Sequence, residues 1–215
     1  MNSSEPISPM FGVPVATFKI PKQEELNSKL QNLILSSEKD NKRNVHPSQK
    51  IQPEVFESNF SFFDWDDIAC KAIKNLMLLG IRNVIEKTTN LTSKQVSALA
   101  PCHDSWFHIT RRGGYVQPHN HPNASWSAVY CVTSGLKDAG HEDSGSLIFH
   151  NPLGSGYMFQ DPTNRDFKWP YSIHGQKFTL SASNLIVFPS HLVHSVTPYF
   201  GEGERITIAT NVWFK

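Results

Sequence analysis

The stretch LIVFPSHLVHSVTPYFGEGERITIATNVWF, residues 185–214, decides the fold that we predict for this chain. From residue 205 onward its side chains alternate with a period of two, as in a β-strand. The apolar face consists of Ile206, Ile208, Val212 and Phe214. The other face consists of Arg205, Thr207, Ala209 and Asn211. Because an apolar face needs a cover and a polar interior needs a ligand, we predict helices outside this strand and a binding pocket inside.

The remainder of the C-terminal half also contains segments that are typical of β-strands. From about Ser105, short runs rich in β-branched and aromatic residues are separated by Gly, Pro, Asn and Asp. The predicted strands are 106–111, 115–119, 126–133, 146–149, 177–180, 185–188, 194–199 and 205–214. Such a series after a helical front half indicates a mainly β fold with flanking helices. We expect a double-stranded β-helix, or jelly roll, with the N-terminal helices packed on one sheet.

The front half is predicted to contain two helices. Residues 24–36 place leucine and isoleucine side chains on one face at helical spacing. Asp64 is the predicted N-cap of a second helix, which has Asp66 and Asp67 in its first turn and continues towards Ile85. Both helices are apolar enough on one side to cover a sheet.

Length and composition limit the number of domains. The chain has 215 residues, of which 39% are hydrophobic, and this is enough for one sizeable core. We therefore expect a single domain over residues 1–215. Within it, residues 1–104 form a mostly helical front half with connecting segments, and residues 105–215 form the jelly-roll core.

Charge and cysteine content argue against a nucleic-acid-binding, membrane-binding or disulfide-bonded protein. The net charge of +1 comes from 20 basic and 19 acidic residues without blocks, so nothing attracts nucleic acid or anionic lipid. Three widely spaced cysteines are an odd number, which favours reduced thiols over disulfides. The N-terminus has no basic segment before an apolar run, and no stretch of about 18 apolar residues occurs. We expect a cytoplasmic protein that binds neither nucleic acid nor membrane.

The first chemical motif is Pro118-His119-Asn120-His121-Pro122. In a strand, the period of two puts both imidazoles on one face. Neighbouring neutral imidazoles suit iron(II), zinc or copper, but a pair alone more often belongs to a polar surface or a hydrogen-bonded core. A metal site would therefore need a distant third ligand, for which His194 is the candidate.

The second motif follows His194. If Tyr199 and Glu204 flank a four-residue loop, His194 lies opposite Ala209 in a hairpin, and residues of like parity point inward with it. Arg205 and Thr207 would then share this face, and Arg205 would lie about 13 Å from the level of His194. A buried guanidinium requires a carboxylate or phosphate partner.

With this motif complete, the residues carry a family resemblance. His119-x-His121, then His194, then Arg205 with Thr207, resembles the metal and co-substrate pattern of the 2-oxoglutarate/iron(II) oxygenases. HNHPNASWSAVYCV, GSLIFHNP and the stretch quoted above are similar to an oxygenase family common in marine bacteria and their phages. The resemblance extends from about residue 105 to the C-terminus, with a looser match at FGVPV near the start.

The resemblance implies the roles of these residues. His119, His121 and His194 would bind Fe(2+). Arg205 would pair with the distal carboxylate of 2-oxoglutarate, and Thr207 would assist by a hydrogen bond. Asn211 shares their face and is a further cofactor or substrate contact, or else a buried amide satisfied by the backbone.

Two positions depart from the superfamily pattern. His121 stands where most members have Asp or Glu, which leaves the metal site one unit more positive and could favour zinc or nickel. Carboxylates that could replace His121 as third ligand are Asp104, Asp138, Glu142 and Asp143. Cys131 stands where relatives often have a tyrosine that contacts 2-oxoglutarate, and we interpret it as a small pocket-wall residue rather than a nucleophile.

Candidates for the substrate pocket are His108, Ser127, Cys131 and Trp169. Trp169 belongs to residues 157–175, a long segment rich in aromatic and polar residues that we predict to be a substrate lid or a solvated insertion. By contrast, Phe60 and its aromatic neighbours before the second helix are interpreted as core.

The function implied by the resemblance is that of a 2-oxoglutarate/Fe(II)-dependent dioxygenase, an oxidoreductase. It would hydroxylate a small-molecule or side-chain substrate with molecular oxygen and release succinate and CO2. Two alternatives stay open at this point. One is a three-histidine, cupin-like iron dioxygenase without 2-oxoglutarate, and the other is a non-catalytic jelly-roll module that binds a small molecule.

Overall fold

Two antiparallel β-sheets face each other in this protein. The computed structural model describes residues 10–40, 54–136, 140–153 and 159–215. Within these ranges the strands are β1 (Ala16–Lys19), β2 (Val55–Glu57), β3 (Pro101–Thr110), β4 (Val116–His119), β5 (Trp126–Thr133), β6 (Leu147–Phe149), β7 (Gln176–Phe178), β8 (Asn184–Pro189), β9 (His194–Val196) and β10 (Arg205–Phe214). One sheet has the order β1-β8-β5-β10-β3-β2 and the other the order β4-β9-β6-β7. The predicted jelly roll is confirmed.

The helices cover the outer face of the six-stranded sheet. They are α1 (Glu24–Lys39), α2 (Ile68–Thr88) and α3 (Ser93–Ala98), with a short 3-10 helix at Phe62–Asp64. Strand β8 shows how the two faces differ. Its Leu185 and Val187 pack in the cluster that contains the helices, whereas Ile186 and Phe188 pack between the sheets. No helix in the described part of the chain is long and apolar enough to cross a membrane.

The alternation predicted for the last strand is confirmed. Ile206, Ile208 and Val212 are fully buried in the helix-side cluster, and Phe214 packs against it. The opposite face of β10 lines a pocket between the sheets through Arg205, Thr207, Ala209 and Asn211. Because β10 lies between β3 and β5 near the middle of its sheet, this polar face is surrounded by protein on both sides.

The hairpin predicted around residues 200–203 is wrong. Strand β9 pairs with β4 and β6 in the four-stranded sheet, whereas β10 pairs with β3 and β5 in the six-stranded sheet. His194 therefore does not lie beside Ala209 in one ladder. Both side chains nevertheless line the same pocket, because the inner faces of the two sheets are directed at each other.

The front half differs from the prediction in two respects. It contributes strands to the large sheet, because β1 pairs with β8 and β2 pairs with β3. The second helix begins later than predicted, since Asp64 ends the 3-10 helix and the N-cap of α2 is Asp67. The Asp67 carboxylate accepts hydrogen bonds from the backbone N–H groups of Ala69 and Cys70, at 2.7 and 3.2 Å.

The cap of α2 provides a test of helix stability. Asp67→Ala removes the acceptor of two otherwise unpaired N–H groups, and it should lower the free energy of unfolding by about 1 kcal/mol. Asp66→Ala is the matched control, because its exposed carboxylate pairs only with Lys71 at the surface. Urea unfolding followed by circular dichroism should separate the two variants. Equal losses would show that the Asp67 cap contributes nothing beyond surface charge.

Candidate active site

Three imidazoles meet where β4 and β9 pair. His119 on β4 lies directly opposite His194 on β9, and His121 follows two residues after His119. The ring centroids of His119 and His194 are 4.3 Å apart, and that of His121 lies 4.9 and 5.2 Å from them. One candidate ligand atom from each ring lies within 4.8 Å of the others. This group could hold one metal ion.

Backbone carbonyl groups orient two of these rings. The Nδ1 atom of His119 lies 2.7 Å from the carbonyl oxygen of Gln117, and Nδ1 of His194 lies 2.9 Å from that of Leu192. Since a carbonyl can only accept, each Nδ1 carries the proton and donates it, which leaves the Nε2 lone pair free for a metal. His121 makes ring contacts with Trp106 and the other imidazoles instead.

The imidazoles are neutral at physiological pH. Burial, together with the neighbouring His119 ring, lowers the pKa of His121 to about 4 and that of His194 to about 3. Burial also lowers the pKa of His119. A neutral ring keeps the lone pair that a metal requires, so the site does not have to lose protons before binding.

The Arg205 guanidinium is buried in the same pocket. Its side chain is 5% exposed and shares the pocket with His194 and Thr207. Burial lowers its pKa, with small opposing effects from Cys131 and Tyr199, although an arginine remains charged. Across the described ranges, no carboxylate forms an ion pair with Arg205 and no hydrogen bond to it is found.

Gly145 allows the arginine to occupy this position. Gly145 has a φ of +63°, and a Cβ atom placed there would lie 2.9 Å from Cδ and 3.1 Å from Nε of Arg205. Any other residue at 145 would therefore displace the arginine side chain and strain the backbone. The glycine is required by close contact as well as by conformation.

Strands β3 and β10 arrange the polar residues of the inner face in order of depth. They pair in register along their whole length, and opposed residues share a face. From the deep end outward, the pairs that share the inner face are Thr110 with Arg205, His108 with Thr207, Trp106 with Ala209, and Asp104 with Asn211. Arg205, the predicted anchor for an anion, and the outer residues Asp104 and Asn211 thus lie at opposite ends of one row.

Two of the predicted pocket residues lie at the pocket and hold neighbours in place. His108 Nε2 shares a hydrogen bond of 3.0 Å with the carboxylate of Glu57. The Ser127 hydroxyl donates to Oδ1 of Asn211 at 2.7 Å, and it also lies 2.8 Å from the Ser190 hydroxyl. The Asn211 amide oxygen is therefore satisfied by a side chain rather than by the backbone.

Two other candidates do not line the described cavities. Trp169 is 77% exposed, because its segment connects β6 to β7 at the edge of the four-stranded sheet that lies furthest from β4 and the histidines. Its predicted place in the pocket is wrong. Cys131 is fully buried in the apolar cluster with Leu180 and Phe188. Burial raises the pKa of its thiol to about 11, so it is not a nucleophile at neutral pH.

No carboxylate belongs to the group of candidate metal ligands in the described residues. Asp143 pairs with Lys177 at the surface, and Glu142 is exposed. Asp104 lines an outer cavity, as described below. Asp138 lies outside the described residues, as does Tyr157 at the start of the predicted lid.

Sequence patterns missed two residues at the site. Glu57 is 3% exposed and reaches His108 from β2, a three-residue strand too short to show a period. Phe60, interpreted as core, is 44% exposed and lines the outer cavity, whereas Phe62 and Phe63 are buried as expected. Nothing local distinguishes Phe60 from these neighbours, because only the pairing of β2 with β3 brings its segment to the cavity.

The fold is shared with solved structures of oxygenases. A prolyl-4-hydroxylase from Pseudomonas putida has a TM-score of 0.60 at 16% identity, covering 94% of this chain and 92% of that chain. A prolyl hydroxylase from Trichoplax adhaerens, in complex with a hypoxia inducible factor peptide fragment, has a TM-score of 0.58 at 12% identity, covering 93% and 83%. HygX from Streptomyces hygroscopicus, with nickel and 2-oxoglutarate bound, has a TM-score of 0.59 at 9% identity, covering 93% and 82%. These similarities show the oxygenase jelly-roll fold.

Sequence similarity identifies the family. Residues 104–211, half of the chain, match the family described as "Putative 2OG-Fe(II) oxygenase", and the chain belongs to this family. It is therefore an oxidoreductase whose cofactors are Fe(2+) and 2-oxoglutarate, which confirms the class and the cofactors predicted from the sequence. No curated protein matches the chain in sequence.

The lowered pKa values predict how the metal-free protein responds to acid. His194 binds a proton below pH 6.5 when unfolded but only near pH 3 when folded, so stability is lost as the pH falls below 6.5. Between these two pH values, the titration of this histidine should lower the free energy of unfolding by about 1.4 kcal/mol for each unit that the pH falls. The test measures the free energy of unfolding from pH 7 to pH 4.5 for the chelator-treated wild type and for His194→Asn. The dependence on pH should be steeper for the wild type.

His191→Asn is the control for this experiment, because His191 is exposed and lies outside the group of three histidines. Its slope should equal that of the wild type. A His194→Asn variant with the same slope as the wild type would contradict a neutral, desolvated imidazole at this position.

Proposed function

We propose that this protein oxidises its substrate with iron(II) held by His119, His121 and His194, and with 2-oxoglutarate held by Arg205 and Thr207. In the overall reaction, substrate C–H, 2-oxoglutarate and molecular oxygen yield hydroxylated substrate, succinate and CO2. Bound iron(II) supplies the activation of oxygen that protein side chains cannot. The substrate would be a small molecule or the side chain of a larger one.

The buried Arg205 charge is the observation that carries this proposal. A buried ion without a partner costs about 3–5 kcal/mol relative to a paired one. The other described residues that line its pocket are apolar, such as Leu147 and Leu180, or polar without a negative charge, such as Thr207, so none of them offsets the charge. A dianionic, five-carbon acid would supply one carboxylate to the guanidinium and leave the other end free to approach the histidines.

The histidines support the metal half of the proposal through their protonation. Two of the rings donate from Nδ1 to the backbone, so their Nε2 atoms are directed away from the hydrogen bond and are available as ligands. Their lowered pKa values keep protons from competing with the metal. A three-histidine set leaves the ion's double charge uncompensated, which favours binding of an anionic co-substrate.

Thr207 and Asn211 are further candidates for ligand contacts on the inner face of β10. Thr207 is 4% exposed and follows Arg205 on the inner face, so its hydroxyl is in position to donate to a carboxylate held by the arginine. Asn211 lies two inner-face residues further out, and its side chain is oriented by Ser127. We assign Thr207 to 2-oxoglutarate and Asn211 to the boundary between co-substrate and substrate.

The test of the proposal separates the metal from 2-oxoglutarate. Under anaerobic conditions, iron(II) and 2-oxoglutarate together should give the wild type a visible metal-to-ligand charge-transfer band. Arg205→Met keeps an apolar stem of similar length but removes the charge, so the Kd for 2-oxoglutarate should rise about 100-fold while iron binding is retained. Arg165→Met, at an exposed arginine, is the control and should behave as the wild type.

Two results would count against the proposal. A band in Arg205→Met at wild-type concentrations of 2-oxoglutarate would remove the arginine as anchor. Iron binding by the wild type without any band would favour a three-histidine dioxygenase that works without 2-oxoglutarate. This alternative is suggested by the absence of a carboxylate from the ligand group in the described residues.

Gly145 gives an independent prediction for the same anchor. Gly145→Ala should displace the Arg205 side chain and raise the Kd for 2-oxoglutarate about tenfold, because the new methyl group would lie 2.9 Å from Cδ. Gly203→Ala is matched in backbone strain, with a φ of +70° but nothing within 4 Å of the added Cβ. Titration of the charge-transfer band should show the change in Gly145→Ala alone. A similar change in both variants would indicate strain rather than contact.

A further inference from the structure

A second cavity opens beside the histidines towards the outer end of β3. Its volume is about 370 Å3, within the range of small-molecule sites. His119, His121 and His108 form its inner wall, and Phe60, Trp106 and Asp104 line it further out. A group bound in this cavity would therefore lie next to the candidate metal ligands, which is where a substrate must lie if the proposed function is correct.

The charged residues of this cavity are acidic. Glu57 and Asp104 line it, and no lysine or arginine does so in the described part of the chain. In a loaded site the double charges of iron(II) and 2-oxoglutarate cancel, and the single formal charges of Arg205 and Glu57 sum to zero. The carboxylate of Asp104 then remains without a counter-charge at the mouth of the cavity, where it would attract a cation.

An unsatisfied donor provides a second, independent observation. Trp106 is 6% exposed, and its indole N–H has no hydrogen-bond partner. A buried donor left unpaired costs about 1–3 kcal/mol, which a ligand that accepts a hydrogen bond would recover. Because Asp104 and Trp106 are two residues apart on one face of β3, their side chains are separated by about 7 Å. A single small group could reach both.

Aromatic rings complete the outer wall. The rings of Phe60 and Trp106 meet edge to face with centroids 5.1 Å apart, and Phe60 is 44% exposed although it is a large apolar side chain. Aromatic faces beside a carboxylate attract ammonium and guanidinium groups through the ring quadrupole. They also accommodate the apolar stem of such a group.

We propose that this cavity selects substrates that carry a protonated amine or guanidinium, which Asp104, Phe60 and Trp106 receive, together with an oxygen that accepts the Trp106 N–H. The inference rests on the proposed function, because it assigns the substrate class of the same site. The cation can belong to a free amine or to the side chain of a peptide, and the chemistry of recognition is the same for both.

The experiment measures binding without turnover. Protein loaded with nickel(II) and 2-oxoglutarate is titrated with matched probes that differ in charge, and binding is followed by NMR. The free pair consists of L-arginine and L-citrulline, and the peptide pair consists of a blocked Gly-Lys-Gly tripeptide and its Nε-acetyl-lysine form. In one pair or both, the cationic member should bind at least about tenfold more tightly than the neutral one. The pair that shows this preference identifies the source of the cation.

Substitutions test which residues cause the preference for the cationic probe. Asp104→Asn should remove the preference for the cation without changing the affinity of the neutral probe. Trp106→Phe should weaken both members of a pair about fivefold, since it removes a hydrogen bond and keeps the aromatic ring. Glu25→Gln is the control, because this exposed carboxylate lies on α1, on the far side of the large sheet.

Failure of this inference can be told apart from failure of the proposed function. Nickel and 2-oxoglutarate binding are measured first, and their absence would contradict the proposed function. If both bind, equal affinity for charged and neutral probes would overturn the substrate class. Absence of binding by all four probes would overturn it as well.

Discussion

An uncompensated positive charge between the two sheets is the constraint on which this structure depends. The Arg205 guanidinium is buried in a pocket whose described lining contains no carboxylate, and no carboxylate in the described residues pairs with it. Because burial of an unpaired ion is costly, the arrangement is favourable only when an anion enters. The three neutral histidines act in the same direction, since a cation bound to them would also need anionic charge. A dicarboxylate co-substrate satisfies both requirements at once.

Strand β10 can hold the buried Arg205 charge because its opposite face is apolar and buried, which stabilises the strand. Ile206, Ile208 and Val212 are fully buried in the core cluster that also contains residues of α1 and α2, and the strand pairs along its length with β3. The apolar burial on the helix side therefore offsets the polar burial on the pocket side. Gly145 completes the arrangement, because a side chain at that position would occupy the space of the arginine.

Each of the two sheets contributes a different set of residues to the site. The four-stranded sheet contributes His119 and His194 from adjacent strands, with His121 just beyond β4, and the six-stranded sheet contributes the row from Arg205 to Asp104 that faces them. This row runs from a buried cationic end to an exposed acidic end, so the proposed sites for 2-oxoglutarate and for substrate lie at its opposite ends. If both proposals are correct, the register of β3 and β10 orients both reactants.

Periodicity in the sequence by itself determined the polar and apolar faces of β10, the shared face of His119 and His121, and the jelly-roll class, whereas the cofactors followed from the resemblance of the sequence motifs to a known family. It could not determine which strands pair, because a period of two specifies a face but not a neighbour. The hairpin predicted between His194 and Ala209 therefore proved to be two strands in different sheets. Only the tertiary structure brought Glu57 and Phe60 to the cavity and left Trp169 outside it, since these positions depend on pairing between strands distant in the chain.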